Sequence, residues 1–161
     1  MSQAAAEVLA ALGRRGWKLG VAESLTGGAL CADLVAVPGA SAVLLGGVVA
    51  YATPVKSSVL GVDEGLLSRY GPVHPQVALE MADGVRRVVG VDGEAADVGV
   101  STTGIAGPVS PDGQPVGTVH IGVVTPAASR TRAFLFVGDR ESIRAQTVDA
   151  ALQEMLALLS E

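Results

Sequence analysis

The stretch KLGVAESLTGGALCADLVAV, at residues 18–37, decides the fold of this chain. Its first segment, LGVA, is apolar and predicts a buried strand. Two adjacent glycines then indicate a sharp turn, and the alanine- and leucine-rich segment after them predicts a helix that ends before Pro38. A strand that leads through a tight turn into a helix is typical of α/β proteins. The stretch therefore predicts an α/β fold.

Helical and strand patterns continue on both sides of this unit. Val8, Leu9 and Leu12 have helical spacing and predict a helix before the first strand. SAVLLGGVVAY, at residues 41–51, predicts a strand that is bulged or closely approached at its glycine pair. Thr53 and Pro54 then predict the cap and the first residue of another helix.

The second half of the chain predicts a mixed sheet. AADVGVSTTG, at residues 95–104, reads as a strand, and GTVHIGVVT and RTRAFLFVG predict a hairpin that adds antiparallel strands. A helix begins at Pro75, and Asp139 caps a last helix. The residues expected to face the core from these two helices are Val77, Met81, Val85, Val88, Ile143, Leu152, Met155 and Leu159. The whole pattern predicts one three-layer α/β/α domain over residues 1–161.

Composition excludes several classes of function. The net charge is −5 and no cluster of Lys and Arg occurs, which argues against nucleic acid or a membrane surface as partner. No apolar run approaches the roughly 20 residues that span a bilayer, and the N-terminus does not read as a signal peptide. Cys31 is the single cysteine, so no internal disulfide or cysteine-rich metal site is expected. We expect a cytoplasmic protein; its apolar surplus and glycine-rich strands are compatible with a homo-oligomer.

The two histidines do not suggest a catalytic triad or a metal site. His120 falls inside a predicted strand, and His74 precedes a proline at a helix start. Neither has neighbours at metal-ligand spacing, so structural roles are favoured for both. The chain also lacks the sequence patterns of phosphate loops, dinucleotide-binding turns and zinc sites.

Ser24 lies where a strand ends and a helix begins. Such a turn exposes the hydroxyl, and free N–H groups at a helix start can stabilise a developing oxyanion. Ser24 is therefore a candidate nucleophile. The alternative is that Ser24 or Thr26 only caps the helix, and the residues alone leave the two interpretations about equally supported.

Lys56 follows Tyr51 by five residues, at the end of the next predicted strand. A lysine acts as a general base only when it is neutral, and burial beside an apolar strand end would depress its pKa. Taken alone, a solvated surface lysine is favoured, because lysines are rarely buried. Glu23 could orient this lysine or cap the end of a strand.

Two later segments offer groups for binding a ligand. STTGIAGP, at residues 101–108, and PVGT, at residues 115–118, supply backbone donors at a strand's carboxyl end, although a long turn would also need such glycines. In GDRESIR, Arg140 and Arg144 lie near a helix N-terminus, where they could clamp a phosphate or carboxylate. For either arginine alone, a solvated helix face is the default interpretation.

Together, AESLTGG, GGVVAY with its lysine, TGIAGP with PVGT, and GDRESIR resemble the CinA C-terminal domain family over about residues 8–156. These are the bacterial nicotinamide mononucleotide amidohydrolases. The resemblance implies hydrolysis of the carboxamide of nicotinamide mononucleotide to nicotinate mononucleotide and ammonia, in pyridine nucleotide salvage. It implies no metal or organic cofactor, and a stand-alone form of the domain.

The resemblance also implies roles for individual residues. Ser24 becomes the nucleophile and Lys56 its general base, with Tyr51 assisting, while Arg140 or Arg144 would hold the phosphate or orient the ring. Backbone N–H groups of residues 26–28 are our inference for the oxyanion hole. The residues expected to bind substrate are Glu23, Thr26, Gly27, Gly28, Thr103, Gly104, Ile105, Ala106, Gly107, Arg140 and Arg144.

Two positions depart from the family pattern. His74 stands where many relatives have serine, and Val109 stands where an acidic residue usually follows IAGP. These changes keep two alternatives open: a non-catalytic module of the same fold, binding nucleotides or associated with competence, and an amidohydrolase for another small amide.

Overall fold

The computed structural model describes residues 2–161, which contain six α-helices, one short 3₁₀ helix and five strands. In chain order the elements are α1 (Gln3–Arg15), β1 (Leu19–Glu23), α2 (Ala29–Val35), the 3₁₀ helix (Ala40–Ala42), β2 (Leu44–Val49), α3 (Thr53–Ser58), α4 (Glu64–Tyr70), α5 (Pro75–Val88), β3 (Val98–Gly104), β4 (Thr118–Val124), β5 (Ser129–Leu135) and α6 (Arg140–Leu159). Within residues 2–161, no helix is both long and apolar enough to cross a membrane.

The five strands form one mixed sheet in the order β2-β1-β3-β4-β5. β1 pairs in parallel with both β2 and β3, whereas β4 pairs antiparallel with β3 and β5. The pairing of β1 with β2 shifts register between Leu19 and Gly20, where it skips Leu45. The bulge predicted near the glycine pair of β2 is therefore confirmed, as is the mixed sheet.

Helices cover both faces of the sheet. On one face α1, α2 and α6 enclose a core that includes Leu12, Leu34 and Met155. On the other face Met81 of α5 packs with Ala22 of β1 and with residues from the segment between α3 and α4. Because side chains alternate along β1, Val21 faces the first core and Ala22 the second. The three-layer α/β/α architecture is confirmed.

Glycines allow α5 to lie directly against the strands beneath it. A Cβ atom on Gly99 of β3 would overlap the carbonyl oxygen of Ala82 in α5, and one on Gly122 of β4 would lie 2.5 Å from the carbonyl oxygen of Ala78. Ser101 uses the same close approach, since its hydroxyl donates to the Ala78 carbonyl at 2.5 Å. The helix therefore contacts the backbone of the sheet and not a layer of side chains.

Two predicted details are wrong. Val88 is exposed, because α5 ends there and the backbone turns, so that Val89 continues the apolar face instead. Thr53 lies inside α3, and Ala52 is the N-cap residue. Proline tolerates the first helical turn because it needs no N–H partner there, so Pro54 does not fix which residue precedes the helix.

Candidate active site

Ser24 directly follows β1, and its position is fixed by β3. Its N–H donates to the Thr102 carbonyl at 3.1 Å, which extends the strand pairing by one residue. Gly27 and Gly28 then take positive φ angles of 61° and 102°, and α2 begins only at Ala29. Gly28 is the N-cap residue, without a side-chain capping bond. The alternative in which Ser24 or Thr26 caps this helix is therefore wrong, because the two glycines separate both residues from the helix start.

Glu23 takes over the capping of α2. Its side chain is fully buried, and its two carboxylate oxygens accept from the N–H groups of Leu30 at 2.9 Å and Cys31 at 3.0 Å. Both oxygens of Glu23 are thus used at the helix, and neither contacts Lys56, so the prediction that Glu23 orients the lysine is wrong. Glu23 does not line the cavity at Ser24, and its contact with substrate stays a prediction. Burial and the neighbouring Glu23 carboxylate raise the pKa of the Cys31 thiol to about 12, so this thiol is protonated at neutral pH.

Lys56 is buried beside Ser24, with 1% of its surface exposed. Its Nζ lies 2.8 Å from Ser24 Oγ, 2.7 Å from the Ala50 carbonyl oxygen and 3.3 Å from the Tyr51 carbonyl oxygen. Burial lowers the pKa of Lys56 to about 8 from its ordinary value of 10.5. About one molecule in ten then carries the neutral amine at pH 7. The surface-lysine interpretation is wrong, because α3 packs this side chain under the ends of β1 and β2.

Ser24 and Lys56 open into a cavity of about 400 Å³ at the carboxyl ends of β1 and β3. The predicted residues that line it are Ser24, Tyr51, Lys56, Thr103, Gly104, Ile105, Ala106, Gly107 and Arg140. Thr53, Pro72, Val73, Val109, Pro111 and Asp112 also line it and were not predicted as site residues. A second cavity of about 450 Å³, at the edge of β2, is lined without any titratable side chain. A third cavity, of about 520 Å³, is lined by the exposed side chains of Lys18, Asp92 and Glu94 and by Asp97. The cavity at Ser24 differs from both because a buried lysine lies against a serine hydroxyl in its wall.

Residues 26–28 lie outside this cavity, contrary to prediction. The Thr26 hydroxyl is buried against that of Thr102, at 2.8 Å, and the Gly27 N–H already donates to the Ser24 carbonyl at 3.1 Å. On the cavity wall, the N–H groups of Ala106 and Gly107 have no acceptor among residues 2–161. In the turn, the N–H groups of Thr26 and Gly28 also have no acceptor within residues 2–161. Free backbone donors thus occur both in the turn and in the cavity wall, but only those of the wall belong to residues that line the cavity.

The two arginines of α6 have different environments. Arg140 lines the cavity and donates to the Gly107 carbonyl at 2.7 Å and to the Tyr51 hydroxyl at 3.0 Å. Arg144, one turn later, donates to the carbonyls of Leu25 at 2.8 Å and Thr26 at 3.0 Å. Arg144 therefore holds the turn that follows Ser24 and, unlike Arg140, does not line the cavity. Its contact with substrate stays a prediction.

Both histidines lie outside the cavity. His74 is the N-cap residue of α5, where its Nδ1 accepts from the Gln76 N–H at 3.1 Å. His120 is buried in β4, and burial together with nearby His74 lowers its pKa. Across residues 2–161, no group of three or more His, Cys, Asp or Glu side chains is placed to hold a metal ion.

The sequence of this chain is similar to that of a known protein family and of several curated proteins. The sequence profile of the family described as "CinA C-terminal domain" matches residues 1–159. A "CinA-like protein" of Frankia casuarinae is 48% identical over 95% of this chain and 34% of its own length. A "putative competence-damage inducible protein" of Desulforamulus reducens is 46% identical over 86% of this chain and 32% of its own. The chain thus spans about a third of the length of these curated relatives.

The fold is also similar to that of solved structures from the same group of proteins. A CinA superfamily protein from Klebsiella pneumoniae has a TM-score of 0.91 and 33% identity, covering 98% of this chain and 96% of its own. The competence/damage inducible protein CihA from Agrobacterium tumefaciens has a TM-score of 0.89 and 33% identity, covering 99% and 94%.

Proposed function

The chain belongs to the CinA C-terminal domain family, and on that premise we propose that it hydrolyses nicotinamide mononucleotide to nicotinate mononucleotide and ammonia. The observation that carries the proposal is the 2.8 Å contact between Lys56 Nζ and Ser24 Oγ at the cavity. A buried lysine with a lowered pKa beside a serine is one arrangement of base and nucleophile that supports covalent catalysis. In this role the chain would serve pyridine nucleotide salvage.

The contacts of Lys56 explain how it would act as a base. A neutral amine has two N–H groups and one lone pair. The carbonyls of Ala50 and Tyr51 accept from the two N–H groups, which leaves the lone pair to accept the Ser24 hydroxyl proton. As that proton moves to Lys56, Ser24 Oγ attacks the carboxamide carbon and a tetrahedral oxyanion forms.

The second half of the reaction returns this proton. When the C–N bond breaks, the Lys56 ammonium gives its proton to the leaving nitrogen, which departs as ammonia. Water then attacks the acyl ester, Lys56 accepts a proton from the water, and the proton passes to Ser24 Oγ as the ester bond breaks. We assign the oxyanion to the N–H groups of Ala106 and Gly107, because these are two consecutive lining residues whose N–H groups have no acceptor within residues 2–161.

Ammonia release from nicotinamide mononucleotide tests this proposal. Ser24→Ala removes the nucleophile and is expected to lower kcat by at least about a thousandfold. Ser57→Ala is the matched control, because Ser57 lies next to Lys56 in α3 but points its hydroxyl at Glu64, outside the cavity. It should retain wild-type activity. Full activity of Ser24→Ala would remove the serine from the mechanism, and a wild type that binds the nucleotide without releasing ammonia would make the chain a binding module.

The arginines allow a separate test of phosphate recognition. Arg140→Met is expected to lower kcat/KM about 10- to 100-fold for nicotinamide mononucleotide, since a charge-assisted bond to phosphate is lost. It should hardly change kcat/KM for nicotinamide riboside, which has no phosphate. Arg144→Met, the matched control, should lower kcat/KM for both substrates equally, because the Arg144 guanidinium hydrogen-bonds to the turn after Ser24 and does not line the cavity. If Arg140→Met lowered kcat/KM equally for both substrates, Arg140 would not bind the phosphate. Its role would then be to hold Tyr51 and the Gly107 carbonyl in place.

A further inference from the structure

The cavity contains two basic side chains and one acidic one. Lys56 and Arg140 line it, and Asp112 is the only carboxylate among its lining residues. Glu23, although adjacent to Ser24 in the chain, is turned away to cap α2. Any positive charge on a ligand bound at Ser24 would therefore have Asp112 as its one anionic neighbour in the wall.

Hydrogen bonds hold Asp112 at the rim. Its Oδ1 accepts from the Gln114 N–H at 3.1 Å and the Ser110 hydroxyl at 3.3 Å, and its Oδ2 accepts from Gln114 Nε2 at 2.8 Å. Gln114 Nε2 also donates to the Val73 carbonyl at 3.1 Å, which ties this loop to another part of the cavity wall. These bonds lower the pKa of Asp112, led by that from the Gln114 side chain, so the carboxylate is ionised at neutral pH.

The substrate of the proposed function needs such a charge. Its carboxamide is attached to a pyridinium ring that carries a fixed positive charge. When the amide carbon lies at Ser24, the ring lies close to Lys56, whose Nζ is 2.8 Å from Ser24 Oγ, and shares the cavity with Arg140. Like charges that share one cavity repel one another unless an opposite charge lies nearby. Asp112 supplies that charge from the exposed side of the cavity.

We propose that Asp112 is a specificity-determining residue that selects a cationic amide ring over a neutral one. This inference rests on the proposed function. The charges of the cavity then complement those of the substrate: Arg140 pairs with the negative phosphate, and Asp112 pairs with the positive ring. In the sequence, Asp112 is a single acidic residue in a loop rich in glycine and proline. The fold places this loop at the cavity.

Binding measurements on full-length Ser24→Ala protein, which should not turn over the ligand, provide the test. The two probes are nicotinamide mononucleotide and its reduced dihydropyridine form, which has the same ribose, phosphate and carboxamide but a neutral ring. Adding Asp112→Asn, an isosteric change that removes the charge and keeps one of the two acceptor oxygens bonded to Gln114, is expected to weaken binding of the cationic nucleotide about tenfold. Binding of the reduced form should stay unchanged.

Ser110→Ala is the matched control, because it removes one hydrogen bond to Asp112 but leaves the charge in place. It should preserve the preference for the cationic ring. Equal weakening of both ligands by Asp112→Asn, no weakening, or no binding of the nucleotide would overturn the inference. The proposed function fails by a different result, the absence of ammonia release from the wild type, while the ratio of the two dissociation constants does not depend on turnover.

Discussion

Replacing Lys56 with methionine is expected to lower kcat for ammonia release by at least about a thousandfold. Methionine has a similar length and fits an apolar site, but it cannot accept the Ser24 proton. The matched control is Lys18→Met, since Lys18 and Lys56 are the only lysines of the chain and Lys18 is exposed before β1, at the opposite end of that strand from Ser24. Its activity should equal that of the wild type, and substantial activity in Lys56→Met would exclude the lysine as base.

The same lysine sets the expected pH dependence. A general base works only when deprotonated, so kcat/KM should rise about tenfold per pH unit below the pKa of Lys56, which is about 8, and level off above it. The profile of kcat should level off at a lower pH, because the bound cationic ring disfavours the ammonium form. Steady-state rates between pH 6 and 9.5 measure both curves, and a flat profile would contradict this assignment.

Lys56 should also make stability depend on pH. Its pKa is about 8 in the folded protein and 10.5 without burial, so between these values the unfolded chain binds more protons. The Lys56 contribution to the free energy of unfolding therefore rises with pH across that window, by on the order of 3 kcal/mol. Cys31 acts in the opposite direction. Its pKa is raised to about 12 in the folded protein, so its contribution to the free energy of unfolding falls as the pH rises above 9. The difference between wild type and Lys56→Met isolates the lysine, because Cys31 is common to both.

A second large effect is expected where α5 meets the sheet. Gly99→Ala should lower the free energy of unfolding by about 3 kcal/mol, because the new methyl group would overlap the carbonyl of Ala82 and contact Arg86. Neither the strand nor the helix can move alone, since β3 lies at the centre of the sheet and α5 also approaches Gly122 closely. Urea unfolding of the purified variant measures the loss.

Gly13→Ala is the control for this prediction. Gly13 lies in α1, and an added methyl group would meet only a Val43 methyl at the ordinary distance of 3.7 Å. Since alanine favours helix over glycine by about 1 kcal/mol, this variant should be equal to or more stable than the wild type. A Gly99→Ala protein as stable as Gly13→Ala would mean that α5 does not depend on bare backbone beneath it.

Most secondary structure follows from local patterns in the sequence. Apolar spacing, glycine pairs and caps such as Asp139 are read over a few residues, and the structure places strands and helices where they predict them. The mixed sheet also follows, because a hairpin after parallel strands must add antiparallel ones. The prediction that Val88 faces the core is wrong because the apolar spacing does not show at which residue the helix ends.

The site itself depends on contacts between distant segments. Nothing near Lys56 in the chain distinguishes a buried lysine from a solvated one; its burial comes from the ends of β1 and β2. Arg140 and Arg144 are one helical turn apart, and only the packing of α6 on the turn after Ser24 sends one to the cavity and the other to backbone carbonyls. Asp112 gives no signal at all in a turn-forming sequence, which is why it was not predicted.

The cavity is assembled from both halves of the chain. Ser24 and Lys56 precede the exposed turn at residues 91–94, whereas the loop at residues 103–107 and Arg140 follow it. The central pairing of β1 with β3 joins the two halves. A chain cut at that turn would therefore give two fragments, one with Ser24 and Lys56 and one with residues 103–107 and Arg140, and each would carry only part of the cavity lining. If the proposed activity holds, ammonia release from a mixture of the two fragments would report that they reassociate through the pairing of β1 with β3.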